Sequence, residues 1–403
     1  MFTYKQSKFW IGEIMKNKHD RMKLLTVGVV GASALLSIFS SSASADDTKD
    51  FYFQQAQDRY YQYPTTARIL GMGGSSNFTS TDSSAVVGNP AGLGFMKKGE
   101  FSGTYGHSTT SGDEFPTGRE GLESTTNSGT GLMAIPLGEY PDQTPEFGNL
   151  GLGWSSNYSG YDGDSFDTSA RQTKVFGAYS MNVDDSLSLG YSLGWNKDKL
   201  QSNDLYNYPM ANGFRHTLGA MYKYDSDFTI GATLIAGHGR HHALFGPGFE
   251  GVSKTNQFGA GIGAQYQMGS TLVAANIDYT YLDTNGDVES SIPQNIIGGD
   301  EQGNVFNVRL GVEQAVAEGF LVRGGYRFAG LADYSYGRTE LEPLDGSAYY
   351  HAVTLGAGVY FDTDWAYVPR VNLDYGVEYR AVGNDDWQHG VTLSLPFDVC
   401  PPV

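Results

Sequence analysis

The 403-residue chain has a single cysteine, Cys400, close to its end, so no internal disulfide framework can hold the fold. In an exported chain that residue is expected to be a spare thiol. Positive charge is also scarce, with 26 Lys and Arg against 44 Asp and Glu and a net charge of −18. A surface of that sign repels phosphate backbones, which excludes nucleic acid as a partner. Long hydrophobic runs are missing too, with one exception near the start. Residues 24–39 are apolar, follow Lys23 and lead to Ala43-Ser44-Ala45, the small-x-small pattern that signal peptidase cuts. A run of about 16 residues is short of the roughly 20 that a spanning helix needs. Residues 1–45 therefore read as a signal peptide, with Met22 as an alternative start and Asp46 as the mature N-terminus. The cut removes six bases and two acids and leaves 20 against 42, a net of −22.

What is abundant is glycine (54) and aromatics (27 Tyr, 22 Phe, 5 Trp), and the apolar residues are spread singly. In residues 370–380, Val371, Leu373, Tyr375, Val377 and Tyr379 alternate with Arg370, Asn372, Asp374, Gly376, Glu378 and Arg380. Successive strand side chains point to opposite faces, so one face of this strand is apolar and the other carries charge. Residues 304–313 and 351–361 repeat the pattern. Segments of this kind occur near 99–109, 131–138, 149–160, 173–183, 187–200, 213–224, 228–241, 255–268, 270–283, 304–316, 319–330, 348–361, 369–382 and 387–397, which makes about 14 strands. Most are long for a soluble sheet and suit tilted strands in a bilayer.

Short connections at 184–186, 225–227, 269 and 317–318 alternate with long polar ones at 110–130, 161–172, 201–212, 242–254, 284–303 and 331–347. Residues 139–148 and 383–386 fit that alternation less well. Short turns on one rim and long loops on the other mark an outer-membrane barrel with its short turns in the periplasm. A soluble sandwich gives no reason for such an asymmetry. The expected fold is an all-β transmembrane antiparallel β-barrel of about 14 strands, spanning residues 99–397 and followed by a tail at 398–403. Its last strand ends on an aromatic, Phe397, the feature that barrel-assembly machinery recognises, although six residues follow it.

Residues 46–98 are different, being rich in glycine and small residues. Thr81 or Asp82 can cap a short helical turn that Gly88 ends, Pro90 holds Asn89 extended, and Gly92 is expected to supply the positive φ of a reversal. The result is a compact knot that fits inside the barrel mouth, the alternative being a solvent-exposed tether. Other constellations carry less. His238, Arg240, His241 and His242 lie on a strand turning to a loop, where histidines four apart do not share a helix face, so no metal is expected there. Asp283 to Asp287 carries oxygen ligands in an acidic loop, with its glycine misplaced for an EF-hand. No nucleophile elbow or zinc-helix motif occurs, so neither catalysis nor a cofactor is expected. The inward strand faces place Asp278, Arg309, Glu313, Arg323, Arg327, Arg370, Asp374, Glu378 and Arg380 toward the lumen, where ion pairs anchoring the N-terminal segment are the simplest expectation.

One stretch carries a family resemblance. Arg68, Gly71-Met72-Gly73-Gly74, Asp82, Ser84-Ala85 and Asn89-Pro90-Ala91-Gly92-Leu93 resemble the N-terminal signature of the FadL-type transporter superfamily and its PorV-type relatives. The segments NVRLGVEQAVAEGFLVRGGYRF and HAVTLGAGVYF are similar to that superfamily's late strands. The resemblance implies a 14-stranded outer-membrane barrel whose N-terminal segment plugs the lumen as a hatch. It also implies passive movement of hydrophobic small molecules such as long-chain fatty acids, with outer-membrane lipids and lipopolysaccharide around the wall. The PorV-type branch implies instead an accessory barrel of type IX protein secretion.

Overall fold

Alternation becomes pairing in the computed structural model, which describes residues 66–112, 122–138, 147–163, 166–202, 207–246, 249–287, 301–336, 346–365, 367–382 and 384–398. The strands are β1 (Gly99–Gly112), β2 (Leu122–Pro136), β3 (Asn149–Gly163), β4 (Phe166–Asn182), β5 (Leu187–Ser202), β6 (Asn207–Lys223) and β7 (Phe228–Gly246). They continue as β8 (Phe249–Met268), β9 (Thr271–Asp287), β10 (Glu301–Ala317), β11 (Phe320–Tyr336), β12 (Gly346–Asp362), β13 (Arg370–Val382) and β14 (Asn384–Phe397). Each pairs antiparallel with its sequence neighbours, and β1 pairs with β14, for instance Gly103 opposite Leu393, so the sheet closes. Closure removes the exposed edges that an open sheet of this length would present.

Parity along each strand sorts the side chains. On β12 the outward Leu355 is 67% exposed while its inward neighbour Thr354 is 2% exposed. The outer wall is a continuous apolar band that includes Trp154, Leu218, Leu234, Ile262, Ile277 and Leu373, all exposed. So much apolar surface facing outward is a membrane-facing wall. Two turns need only two residues, Gly269-Ser270 and Glu318-Gly319, with φ of +63° at Gly269 and +73° at Gly319, the left-handed geometry of tight hairpins.

At the opposite rim the strands run further than alternation suggests. β2 starts at Leu122 rather than near 131, and the loops expected at 161–172, 201–212 and 242–254 are largely strand. The run Leu122 to Ser128 is polar after its first residue, so it keeps its backbone ladder with no apolar alternation to announce it. Asp283 to Asp287 is likewise the end of β9 and not a loop. Residues 1–45, Cys400 and the rest of the tail beyond Asp398 lie outside the described residues.

Candidate functional site

The barrel's interior is filled by residues 66–96 of its own chain. Thr66 caps the one-turn helix α1 (Ala67–Gly71), accepting from the Ile69 amide. Gly73 and Gly74 follow with φ of +65° and +77° and turn the chain back across the lumen. Asp82 caps a 3-10 turn, Ser83–Val86, by accepting from the Ser84 amide at 2.9 Å. Asn89 is extended and caps a second, Pro90–Phe95. Gly92 corrects the sequence reading: it lies inside that second turn and is absent from the positive-φ glycines, which include Gly73 and Gly74. Its need for glycine is spatial, because a Cβ there would collide with the Ser80 carbonyl.

Close approach governs the fit to the wall as well. A Cβ on Gly71 would lie 2.9 Å from Gly356 Cα, and one on Gly73 would lie 3.0 Å from the Tyr326 backbone nitrogen. The wall answers with glycines at inward positions. Gly190 and Gly219 receive Pro90 and Asn89, Gly231 and Gly261 receive Phe78, and Gly311 and Gly325 receive Met72. A missing Cβ on the wall lets the hatch approach this closely, and at Gly71 and Gly356 it is missing on both sides. Phe78, Met72 and Leu93 are fully buried, and Leu93 joins Ala85, Val86, Val87 and Met96 against Leu132, Ala134, Phe176 and Ala178 of the inner wall. Pro90 and Ala91 are buried beside them.

Polar ties fix the register of this hatch. The Asn89 amide donates to the carbonyls of Phe78 (2.9 Å) and Ala220 (3.0 Å), and its oxygen accepts from the Ala91 amide at 3.2 Å. Asn276 donates to the Gly74 carbonyl at 2.7 Å, and Thr354 to that of Gly71 at 3.0 Å. The Ala67 amide donates to Thr392 at 2.7 Å, and Ser83 donates to Glu100 through both amide and hydroxyl.

Charge is concentrated on the β9–β13 side. Arg323 is almost wholly buried and bridges Glu313 (2.6 Å) and Asp374 (2.7 Å). Glu313 also takes the Arg68 guanidinium, 3.0 Å at Nε, and Arg68 reaches Asp82 at 3.0 Å. Arg309 pairs with Asp278 and donates to Asn276 at 3.0 Å. Arg380 pairs with Glu378 at 2.6 Å, and Arg327 approaches the same carboxylate at 3.9 Å. Five guanidiniums thus meet five carboxylates in these pairs. Buried charge on that scale is tolerable only when paired and hydrogen-bonded in this way.

Arg370 stands apart. It has inward parity but sits at the short-turn rim, its side chain 45% exposed, pairing with Asp362 and stacking on Tyr360. His238 faces outward on β7, stacked on His216, and among the described residues no cluster of His, Cys, Asp and Glu could hold a metal ion. Sequence reasoning missed Phe78, Asn276, Thr354 and Thr392. A usable sign was present in the inward-parity glycines Gly190, Gly219, Gly231 and Gly261, each marking a place where the N-terminal segment comes close.

No family model matches the chain, and no curated protein does either. Among solved structures it is similar to a Pseudomonas aeruginosa FadL homologue, at 14% identity and a TM-score of 0.55, over 83% of this chain and 98% of that one. It is similar to a deltaS2 mutant of the TodX monoaromatic hydrocarbon channel, at 16% and 0.56, over 83% and 99%. It is also similar to the Ralstonia pickettii toluene transporter TbuX, at 13% and 0.53, over 83% and 98%. At these identities the likeness is one of fold, that of FadL-type outer-membrane transporters.

Proposed function

We propose that a chain with this fold is a passive outer-membrane channel for small hydrophobic molecules, long-chain fatty acids among them. The observation that carries the reading is a membrane barrel whose lumen is closed by its own N-terminal segment, on a fold in common with channels for toluene and monoaromatic hydrocarbons. A freely open barrel would pass polar solutes, whereas a stopper seated by ion pairs and glycine contacts requires a local displacement before anything passes. The outer rim captures the ligand, a shift of the hatch opens a path, and the concentration gradient drives transfer without cofactor or coupled energy. The deciding measurement is uptake of labelled oleate and toluene by a deletion strain and by the same strain carrying the gene. Uptake in the deletion strain should fall at least several-fold and recover on complementation, and equal uptake in both strains would sink the proposal.

The lumen filled by paired charges favours one second reading, an accessory barrel of type IX protein secretion that conducts nothing and binds exported proteins at its outer rim. Its sign would be stable co-purification with a very large translocon barrel, together with unchanged hydrocarbon uptake in the deletion strain.

A further inference from the structure

We propose that the outward wall of β4–β8, at the rim away from the short turns, seats the phosphates of an outer-leaflet glycolipid, lipid A. The inference rests on the outer-membrane reading above and adds a partner and a place. Arg171, Lys197, Arg240 and Lys254 are exposed there and share the outward parity of Val175, Leu193, Leu234 and Phe258. Among the described side chains of the strands, outward-facing Lys and Arg occur nowhere else on the barrel. In a chain of net charge −18 this is a marked segregation.

The register sharpens the argument. Arg240 lies directly opposite Lys254 across β7 and β8. Like charges in directly opposed positions destabilise a sheet unless an anion lies between them. Asp283 is the single carboxylate among the described outward side chains of β4–β9 at this rim, opposite Asn256 and so diagonal to Lys254. Just below the cations the His216 and His238 rings stack at 6.3 Å, and the Tyr191 hydroxyl bonds to His216 Nδ1 at 2.7 Å, a polar aromatic shelf at the edge of the apolar band.

Height agrees with a headgroup. From Phe228 to Arg240 along β7, a rise of about 3.3 Å per residue and a tilt of about 40° give about 30 Å along the membrane normal. The apolar band of such barrels is about 25 Å tall, so a group starting at its lower edge and ending at Arg240 has just cleared it. The hairpin turns of the other rim carry exposed acids instead, Asp184, Asp185, Asp225, Asp227 and Glu318. Exposed cations at that rim, Lys97, Lys98 and Arg370, lie off the outward strand faces, and Lys98 and Arg370 pair with Asp398 and Asp362, so the described outward faces of the strands are basic toward one leaflet only. A bisphosphorylated glycolipid confined to the outer leaflet fits that polarity, and a phospholipid of the inner leaflet does not.

The test uses the full-length mature protein purified in mild detergent and native mass spectrometry. Wild type and the variant R171Q/K197Q/R240Q/K254Q are titrated with Kdo2-lipid A, dephosphorylated lipid A and phosphatidylglycerol. Wild type should hold Kdo2-lipid A at least tenfold more tightly than either other lipid, and the fourfold variant should lose at least tenfold of that affinity. Equal retention by the variant, or equal affinity for phosphatidylglycerol, overturns the glycolipid seat. Heat-modifiability on gels confirms that the variant barrel is folded, and the pairs R240Q/K254Q and R171Q/K197Q serve if the fourfold variant is not. Membrane fractionation with protease accessibility on intact cells is read alongside. If the protein is not in the outer membrane the functional reading fails whatever the lipid titration shows, and correct sidedness without lipid retention fails the seat alone.

Discussion

Asn89 concentrates the hatch's dependence on one side chain. Its amide satisfies the Phe78 and Ala220 carbonyls and caps the turn that begins at Pro90. Asn89→Ala leaves these buried groups without partners, at about 1–3 kcal/mol each. Hydrogen exchange of amides 78–92 should accelerate roughly 100-fold, corresponding to about 3 kcal/mol of local stability, while the barrel stays heat-modifiable. Arg370→Gln is the contrast, since its exposed pair with Asp362 is worth only about 0–1 kcal/mol. The same exchange experiment should show no change. The residues at this turn were legible in the sequence, because Asp82, Asn89 and Pro90 have strong local preferences that do not depend on the rest of the chain. Gly92 was misread for the converse reason. Glycine is needed both for positive φ and for close approach, and only three-dimensional neighbours, here the Ser80 carbonyl, distinguish the two.

At the scale of the strand, period-two alternation located all fourteen elements because each crosses an apolar medium on one face only. It lost its force at Leu122 to Ser128, where polar residues follow one another and only the ladder marks the strand. The interior was less legible, since a glycine within a strand lowers strand propensity whether or not something packs on it. Gly231 and Gly177 separate these cases. A side chain on Gly231 would run into the Phe78 carbonyl, whereas nothing lies within 4 Å of a Cβ on Gly177. Gly231→Val should displace the hatch and sensitise cells to a large antibiotic such as vancomycin, with the barrel still assembled. Gly177→Val, facing outward, should leave both assembly and antibiotic exclusion at wild-type levels.

For the molecule as a whole, the lumen holds a plug seated in an ion-paired frame. In planar bilayers the purified protein should show no stepwise conductance, whereas Arg68→Gln combined with Asn89→Ala should open discrete ion-conducting events, because the frame then holds Glu313 and Asp82 without their shared partner. Wild-type steps of porin size would contradict a seated plug. The hatch also touches both strands of the seam. Ala67 is bound to Thr392 on β14, and Ser83 to Glu100 and Ser102 on β1. The first and last strands of the ring are thus tied to one another twice, directly by their ladder and indirectly through the backbone of the plug, so the seam of the barrel and the seat of its stopper share the same contacts.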